Sequence, residues 1–188
     1  MLPAMRFVEV TLAAPPDRVS ELDAFYDGMT GETRLRFRDG AGAPFYHFAL
    51  LLPGDRFDAA HVWAEQRFEL VGGVFEFENW DARAVYFLDP AGNIVELIAH
   101  RGLEENGRTG EFGADEIVGF SELGVVGDRA ERLRTVDLPL WSGTIDDPER
   151  LAFVGEKGRT LILAEEGRAW LPTGRPAEAH PVEFELVP

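Results

Sequence analysis

The sequence predicts an α+β chain made of repeated strand–helix units, the fullest copy reading βαβββ. Three stretches carry this prediction. RFVEVTLA alternates like a half-buried strand, stops at Pro15 and Pro16, and leads into a helical DRVSELDAFYDGM that opens on Asp17, a good N-cap residue. FYHFALLL is followed by Pro53, Gly54 and the helical DRFDAAHVWAEQRF, and VGFSELGVV by Gly127 and the helical DRAERLRTV. The spacing repeats as well. Glu9 lies eight residues before Asp17-Arg18, His47 eight before Asp55-Arg56, and Glu122 six before Asp128-Arg129. Asp is common at helix starts, so Asp-Arg alone says little; combined with a polar strand residue, an apolar run and a turn, it indicates three copies of one unit.

The middle copy, about residues 45–100, continues through strands in VFEFEN, RAVYFL and NIVELIAH, with DPAGN turning between the last two. The first copy is abbreviated, with only ETRLRF and the turn-rich RDGAGAP between its helix and the next strand. The polar, glycine-rich segment 101–115 reads as a linker. Beyond it, further strands fall in RLAFVG, TLILAE and VEFELV. The expected organisation is residues 1–100 as a pair of modules, 101–115 as linker and 116–188 as a third module.

Composition excludes several classes. The chain has 188 residues, 45% of them hydrophobic, enough to bury a core. Eighteen basic residues against 34 acidic ones leave a formal charge of −16, which repels nucleic acid and anionic lipid. No window reaches the roughly 20 apolar residues of a bilayer span, and MLPAMRFVEV has no signal-peptide character, so a cytoplasmic protein is expected. With no cysteine, any metal must be held by His, Asp and Glu. No phosphate-binding glycine loop, GxSxG elbow or HExxH helix is present.

Glu96 poses the chemical question. It stands among Ile94, Val95, Leu97 and Ile98, where a lone buried carboxylate costs several kcal/mol, on the order of the penalty for any unpaired buried charge. A metal ion would offset that cost, and so would an arginine such as Arg34, Arg36 or Arg83. His47 shares a strand face with Phe45 and Ala49 and is either a ligand or a hydrogen-bonded core residue. Glu9 shares its face with Phe7 and Thr11, and is either a ligand or a solvated rim residue.

AVYFLDPAGNIVELIAH resembles the end of a module of the vicinal oxygen chelate superfamily, which includes glyoxalase I, bleomycin and fosfomycin resistance proteins and extradiol dioxygenases. FYHFALLLPGDRFDAAHVW resembles the beginning of such a module, and FVEVTLAAPPDRVSELDAFY the beginning of a preceding one. The resemblance implies βαβββ modules paired so that their mixed sheets curl into an open barrel around a metal. It places the ligands at Glu9 and His47 on opening strands and at Glu96 on a closing strand. A fourth ligand would fall in or near TRLRF, where Arg34 and Arg36 stand instead, which leaves three.

Two carboxylates and one imidazole neutralise a divalent ion, leave positions open for substrate, and suit Mn²⁺, Fe²⁺, Zn²⁺ or Ni²⁺ without distinguishing them. The expected function is a metal-dependent enzyme, a lyase or isomerase before a dioxygenase, that binds two neighbouring oxygens of a small substrate, with Glu9 as a carboxylate able to detach and carry a proton. The alternative is a metal-free binding protein of the antibiotic-sequestering type, holding an aromatic or cationic guest. A third module without a counterpart predicts a homodimer. The remaining candidates read as structural. His61 lies in an amphipathic helix, His100 is about 13 Å along the strand from Glu96, and His180 sits in a turn. Glu122 lacks a DPxGN ending in its module, and Trp170 is a packing anchor.

Overall fold

The computed structural model describes residues 5–187. The chain runs β1 (Arg6–Ala14), α1 (Val19–Phe25), β2 (Arg34–Asp39), β3 (His47–Leu52), α2 (Phe57–Glu65), β4 (Phe75–Phe77), β5 (Ala82–Leu88), β6 (Ile94–His100), β7 (Gly119–Val126), α3 (Arg129–Val136), β8 (Leu140–Gly143), β9 (Ala152–Glu156), β10 (Arg159–Ala164) and β11 (Val182–Val187). Eight strands form one curled sheet in the order β4-β5-β6-β3-β7-β10-β9-β8, and β11-β1-β2 form a separate three-stranded sheet. The large sheet is a half-barrel built from two βαβββ modules, β3 to β6 and β7 to β10. Each opening strand runs parallel to its own closing strand, and β3 and β7 join antiparallel at the centre.

The modules that pair are therefore the second and third copies, whereas the sequence pointed to the first and second. The first copy lacks the strands needed for a half-barrel. Its two strands sit with β11, a segment the sequence assigned to the third module. The third module is completed by β8, whose short LWSG has neither the length nor the alternation to announce a strand.

Alternate residues of the large sheet serve two cores. Phe48, Leu50, Leu52, Val95, Leu97, Phe120 and Leu123 face the convex side, together with residues of α2 and of the small sheet. Phe7 of β1 approaches Phe120 at 6.1 Å between ring centroids, and Phe120 stacks on Phe48 at 4.9 Å. The abbreviated copy thus covers the back of the half-barrel. This removes the reason for expecting a homodimer, because the third module finds its counterpart within the chain. On the concave side lie Phe45, Ala49, Tyr86, Ile94, Ile98 and Ile162.

The repeated Asp-Arg has a structural use in the two full modules. Arg56 forks onto Glu116 (2.8 and 3.0 Å) and also donates to the carbonyls of Gly110 and Glu111. Asp55 accepts from the backbone of Asn106 and Gly107. The segment expected as a linker is therefore tied down along its length. Arg129 likewise gathers the carbonyls of Thr144, Ile145, Asp147 and Arg150 and pairs with Glu165. In the abbreviated copy, Arg18 pairs with its neighbour Glu21 and, among the described residues, gathers no loop carbonyls.

The Arg56 guanidinium, more than any opposing effect of burial, holds the Glu116 carboxyl down at about 2, against an ordinary 4.5. A depressed carboxylate stabilises the fold above its unfolded pKa and loses that contribution as pH falls through its folded one. Glu116→Gln is therefore expected to cost about 2 kcal/mol at pH 7, less than the full shift implies because only a thin layer of chain covers the pair. In urea titrations the gap between wild type and variant should close between pH 4.5 and 2. A gap that stays constant over that range would show that the ion pair does not carry it.

Candidate metal centre

Three polar side chains converge on the concave face: His47, Glu96 and Glu122, all buried, each offering a donor atom within 4.8 Å of the others. Strand register brings them together. Ala49 on β3 lies opposite Glu96 on β6 and opposite Glu122 on β7, so two carboxylates flank one small methyl. His47, two residues earlier on the same face, lies opposite Ile94. A register shift between Ala49 and Leu50 lets β7 turn Phe120 to the convex core while Glu122 faces the cavity.

The DPAGN turn serves this geometry. Asp89 accepts from the amides of Ala91 and Asn93, from the Asn93 side chain at 2.7 Å and from the Tyr26 hydroxyl at 2.8 Å. Asn93 in turn accepts from the amide of Tyr46, beside His47. One motif thus fixes the closing strand that carries Glu96 against the opening strand that carries His47.

Hydrogen bonding sets the imidazole's direction. His47 Nδ1 lies 3.1 Å from the Ile94 carbonyl, which can only accept, so Nδ1 carries the proton and Nε2 presents its lone pair. Nε2 faces Glu96 Oε2 at 3.5 Å. Trp170 covers the other side of the ring, 5.0 Å between centroids. It approaches because Gly124 has no side chain; a Cβ there would come within 3.1 Å of the indole and 2.9 Å of the His47 carbonyl.

Burial dominates the electrostatics. It lowers the His47 pKa to about 4 and raises that of Glu122 to about 8. Glu96 is pushed well up, by burial first and then by the Glu122 carboxylate, with Tyr86 opposing. Tyr86, opposite Glu96 on β5, is held in its neutral form by burial and by both carboxylates. No arginine or lysine pairs with Glu96 or Glu122 among the described residues. Arg34 and Arg36 are engaged by Glu9, and Arg83 by Asp58.

Such a set fits a divalent cation. Ligand bonds of about 2.0–2.2 Å place donor atoms roughly 3–3.5 Å apart, within reach of the observed spacing. Two carboxylates balance the ion's charge, and the imidazole is already in the ligating tautomer. The pseudo-twofold relation between the modules shows where a fourth ligand would sit. Glu96 lies two residues beyond the partner of His47; the corresponding residue beyond the partner of Glu122 is Ile162, a hydrocarbon.

The structure brings together His47 and Glu96 and leaves Glu9 out. Glu9 lies on the small sheet, paired with Arg34 at 3.1 Å and Arg36 at 3.0 Å. The reason is its sheet: β1 packs behind the half-barrel, on the side away from the cavity, and a register shift of β1 against β11 between Phe7 and Glu9 sets which way Glu9 faces there. Phe7, Val10 and Leu12 therefore share the core, and Glu9 is turned away from it. In the cluster its place is taken by Glu122, the residue equivalent to Glu9 in the spacing repeat, whose module lacks a DPxGN ending. His100 is buried on the same strand as Glu96 but outside the cluster, with both ring nitrogens unpartnered. His61 meets Glu65, and His180 meets Glu178.

No family model and no curated protein matches the sequence. Solved structures match it in shape. An inferred dioxygenase from Bacillus subtilis shares 17% identity at a TM-score of 0.55, over 96% of this chain and 70% of that one. Glyoxalase I from Zea mays shares 13% at 0.51, over 86% and 67%. The chain has the vicinal oxygen chelate fold. At such identities the likeness speaks for the fold, and the chemistry rests on the residues.

Folded and unfolded chains differ in protonation here, and the sign follows. A carboxyl whose folded pKa is raised binds protons more in the folded state, so stability falls as pH rises from 4.5 through about 8. His47 acts oppositely, but only below its unfolded 6.5. Metal-free protein is therefore expected to lose about 1–2 kcal/mol of stability between pH 6.5 and 8, and Glu122→Gln to flatten that loss in denaturant titrations. A wild-type stability that rises over this interval would contradict the arrangement.

Proposed function

We propose that the protein is a metal-dependent enzyme acting on a small oxygen-chelating substrate, with His47, Glu96 and Glu122 as the metal ligands. The observation that carries the reading is the pair of buried carboxyl groups beside an imidazole lone pair, with no arginine or lysine in direct contact with either among the described residues. A divalent ion, when bound there, supplies Lewis acidity to two adjacent substrate oxygens.

The chain's own residues do the rest. The three ligands come from β3, β6 and β7 at the centre of the sheet, the most rigid placement the fold offers. The aromatic rings of Trp170, Tyr86, Trp80 and Phe153 line a cavity of about 200 Å³ above them and give it a mostly apolar wall. Tyr86 keeps its proton and stands as a hydrogen-bond donor beside Glu96. Proton transfer, if carried by a ligand carboxylate, falls to Glu96 or Glu122, because Glu9 is remote. One chain supplies the whole ligand set, so the site does not require a second subunit.

The metal-free alternative with a cationic guest is less well supported. The cavity that contains the three side chains is also lined by Arg168, whose positive charge opposes a cationic guest.

Elemental analysis after loading and desalting tests the ligand set. Wild type and Glu9→Gln should retain about one divalent ion per chain, and His47→Ala, Glu96→Gln and Glu122→Gln should each weaken binding by about tenfold or more. Full retention by Glu122→Gln, or loss in Glu9→Gln, would assign the site elsewhere.

A further inference from the structure

Arg168 is the charged group of the cavity that the metal site does not use. Buried arginines elsewhere meet carboxylates: Arg56 meets Glu116 at 2.8 Å, Arg129 meets Glu165 at 3.1 Å, and Arg159 meets Glu104 at 3.2 Å. Arg168 is half-buried and makes no direct ion pair among the described residues, the Glu149 carboxylate acting on it only at longer range. Its Nη1 donates to the Ala169 carbonyl at 2.6 Å and its Nε to the Glu149 carbonyl at 3.4 Å. Nη2 has no protein acceptor among the described residues.

Its position is specific. Arg168 lines the cavity that contains His47, Glu96 and Glu122, and it also lines an outer groove of about 610 Å³; Phe77, Trp80, Leu151 and Phe153 belong to both. The guanidinium therefore stands at the neck between solvent and the candidate metal centre. Partial burial makes its charge harder to hold, lowering its pKa from the usual value, so an anion delivered to Nη2 would recover solvation the protein does not provide. The groove outside carries Glu76, Glu78 and Glu149 against a single further cation, Arg150, a net acidic lining that opposes further negative charge. One anionic group is accommodated, and a second is opposed. The cavity is smaller than the roughly 300–1,000 Å³ of drug-sized pockets and is walled by flat rings.

Building on the metal-enzyme reading, we propose that Arg168 is the substrate-anchoring residue and that the substrate is a small, flat monocarboxylate, held at the neck through its carboxylate with its body among the aromatic side chains. A second carboxylate would face the net acidic groove, and a neutral group would give the guanidinium no charge partner.

Calorimetric titration with sodium benzoate and with benzamide, equal in shape and different in charge, tests this on chelator-treated and on metal-loaded protein. In both forms benzoate should bind about tenfold more tightly than benzamide. Arg168→Gln should abolish the preference, and Arg168→Lys should keep part of it. Equal affinities in wild type, no binding of either compound at millimolar concentration, or a preference that survives Arg168→Gln would overturn the proposal. Failure of the metal reading leaves a different trace, since the preference would persist in the chelator-treated protein while metal content stayed at background.

Discussion

The antiparallel seam between β3 and β7 is the constraint on which everything else depends. It joins two modules that are each incomplete, since an opening strand with one neighbour leaves an exposed edge and a half-covered face. It also sets Ala49 between Glu96 and Glu122. Slipping the register by one residue would turn Glu122 into the convex core and Phe120 or Leu123 toward the cavity. The packing of Phe48 on Phe120 opposes that slip from the convex side, so the apolar back of the sheet enforces the polar geometry at its front.

That geometry runs against stability. Three ionisable groups are taken from water, and burial shifts each toward its neutral form: His47 downward, Glu96 and Glu122 upward. The surrounding structure tolerates this because its other buried charges are matched. Arg56 and Arg129 satisfy loop carbonyls as well as a carboxylate each, and Asp89 is saturated by the turn that it closes. In the concave cavity, by contrast, neither Glu96 nor Glu122 is in direct contact with an arginine or lysine, and Arg168 makes no direct ion pair among the described residues. Such an arrangement is what a site for two ligands, one metallic and one organic, requires.

Much of this was legible in the sequence. The strand and helix assignments of the middle copy hold nearly element for element, and DPAGN marks a turn whose hydrogen bonds account for each of its polar residues. Glu96 was conspicuous because a carboxylate in an unbroken apolar strand needs a partner. What escaped were features that exist only between elements. A bulge near Val8 reverses the facing of Glu9, and no local pattern in RFVEVTLA signals it. The pairing of second and third copies depends on the first copy lacking strands, which its short length implied without naming the consequence. Glu122 is visible through the repeat; the missing DPxGN at the other end of its module does not bear on it, because an opening-strand residue does not depend on the closing turn. Arg168 lies in an irregular loop, where partial burial and the lack of a direct ion pair leave no mark in sequence.

The central claim is that an ion sits between His47, Glu96 and Glu122. Anomalous diffraction from crystals of the protein grown with Mn²⁺ addresses it directly. The account predicts a single strong peak within bonding distance of His47 Nε2 and of both carboxylates, with none beside Glu9. A cavity without a peak, or a peak on the small sheet, would contradict it.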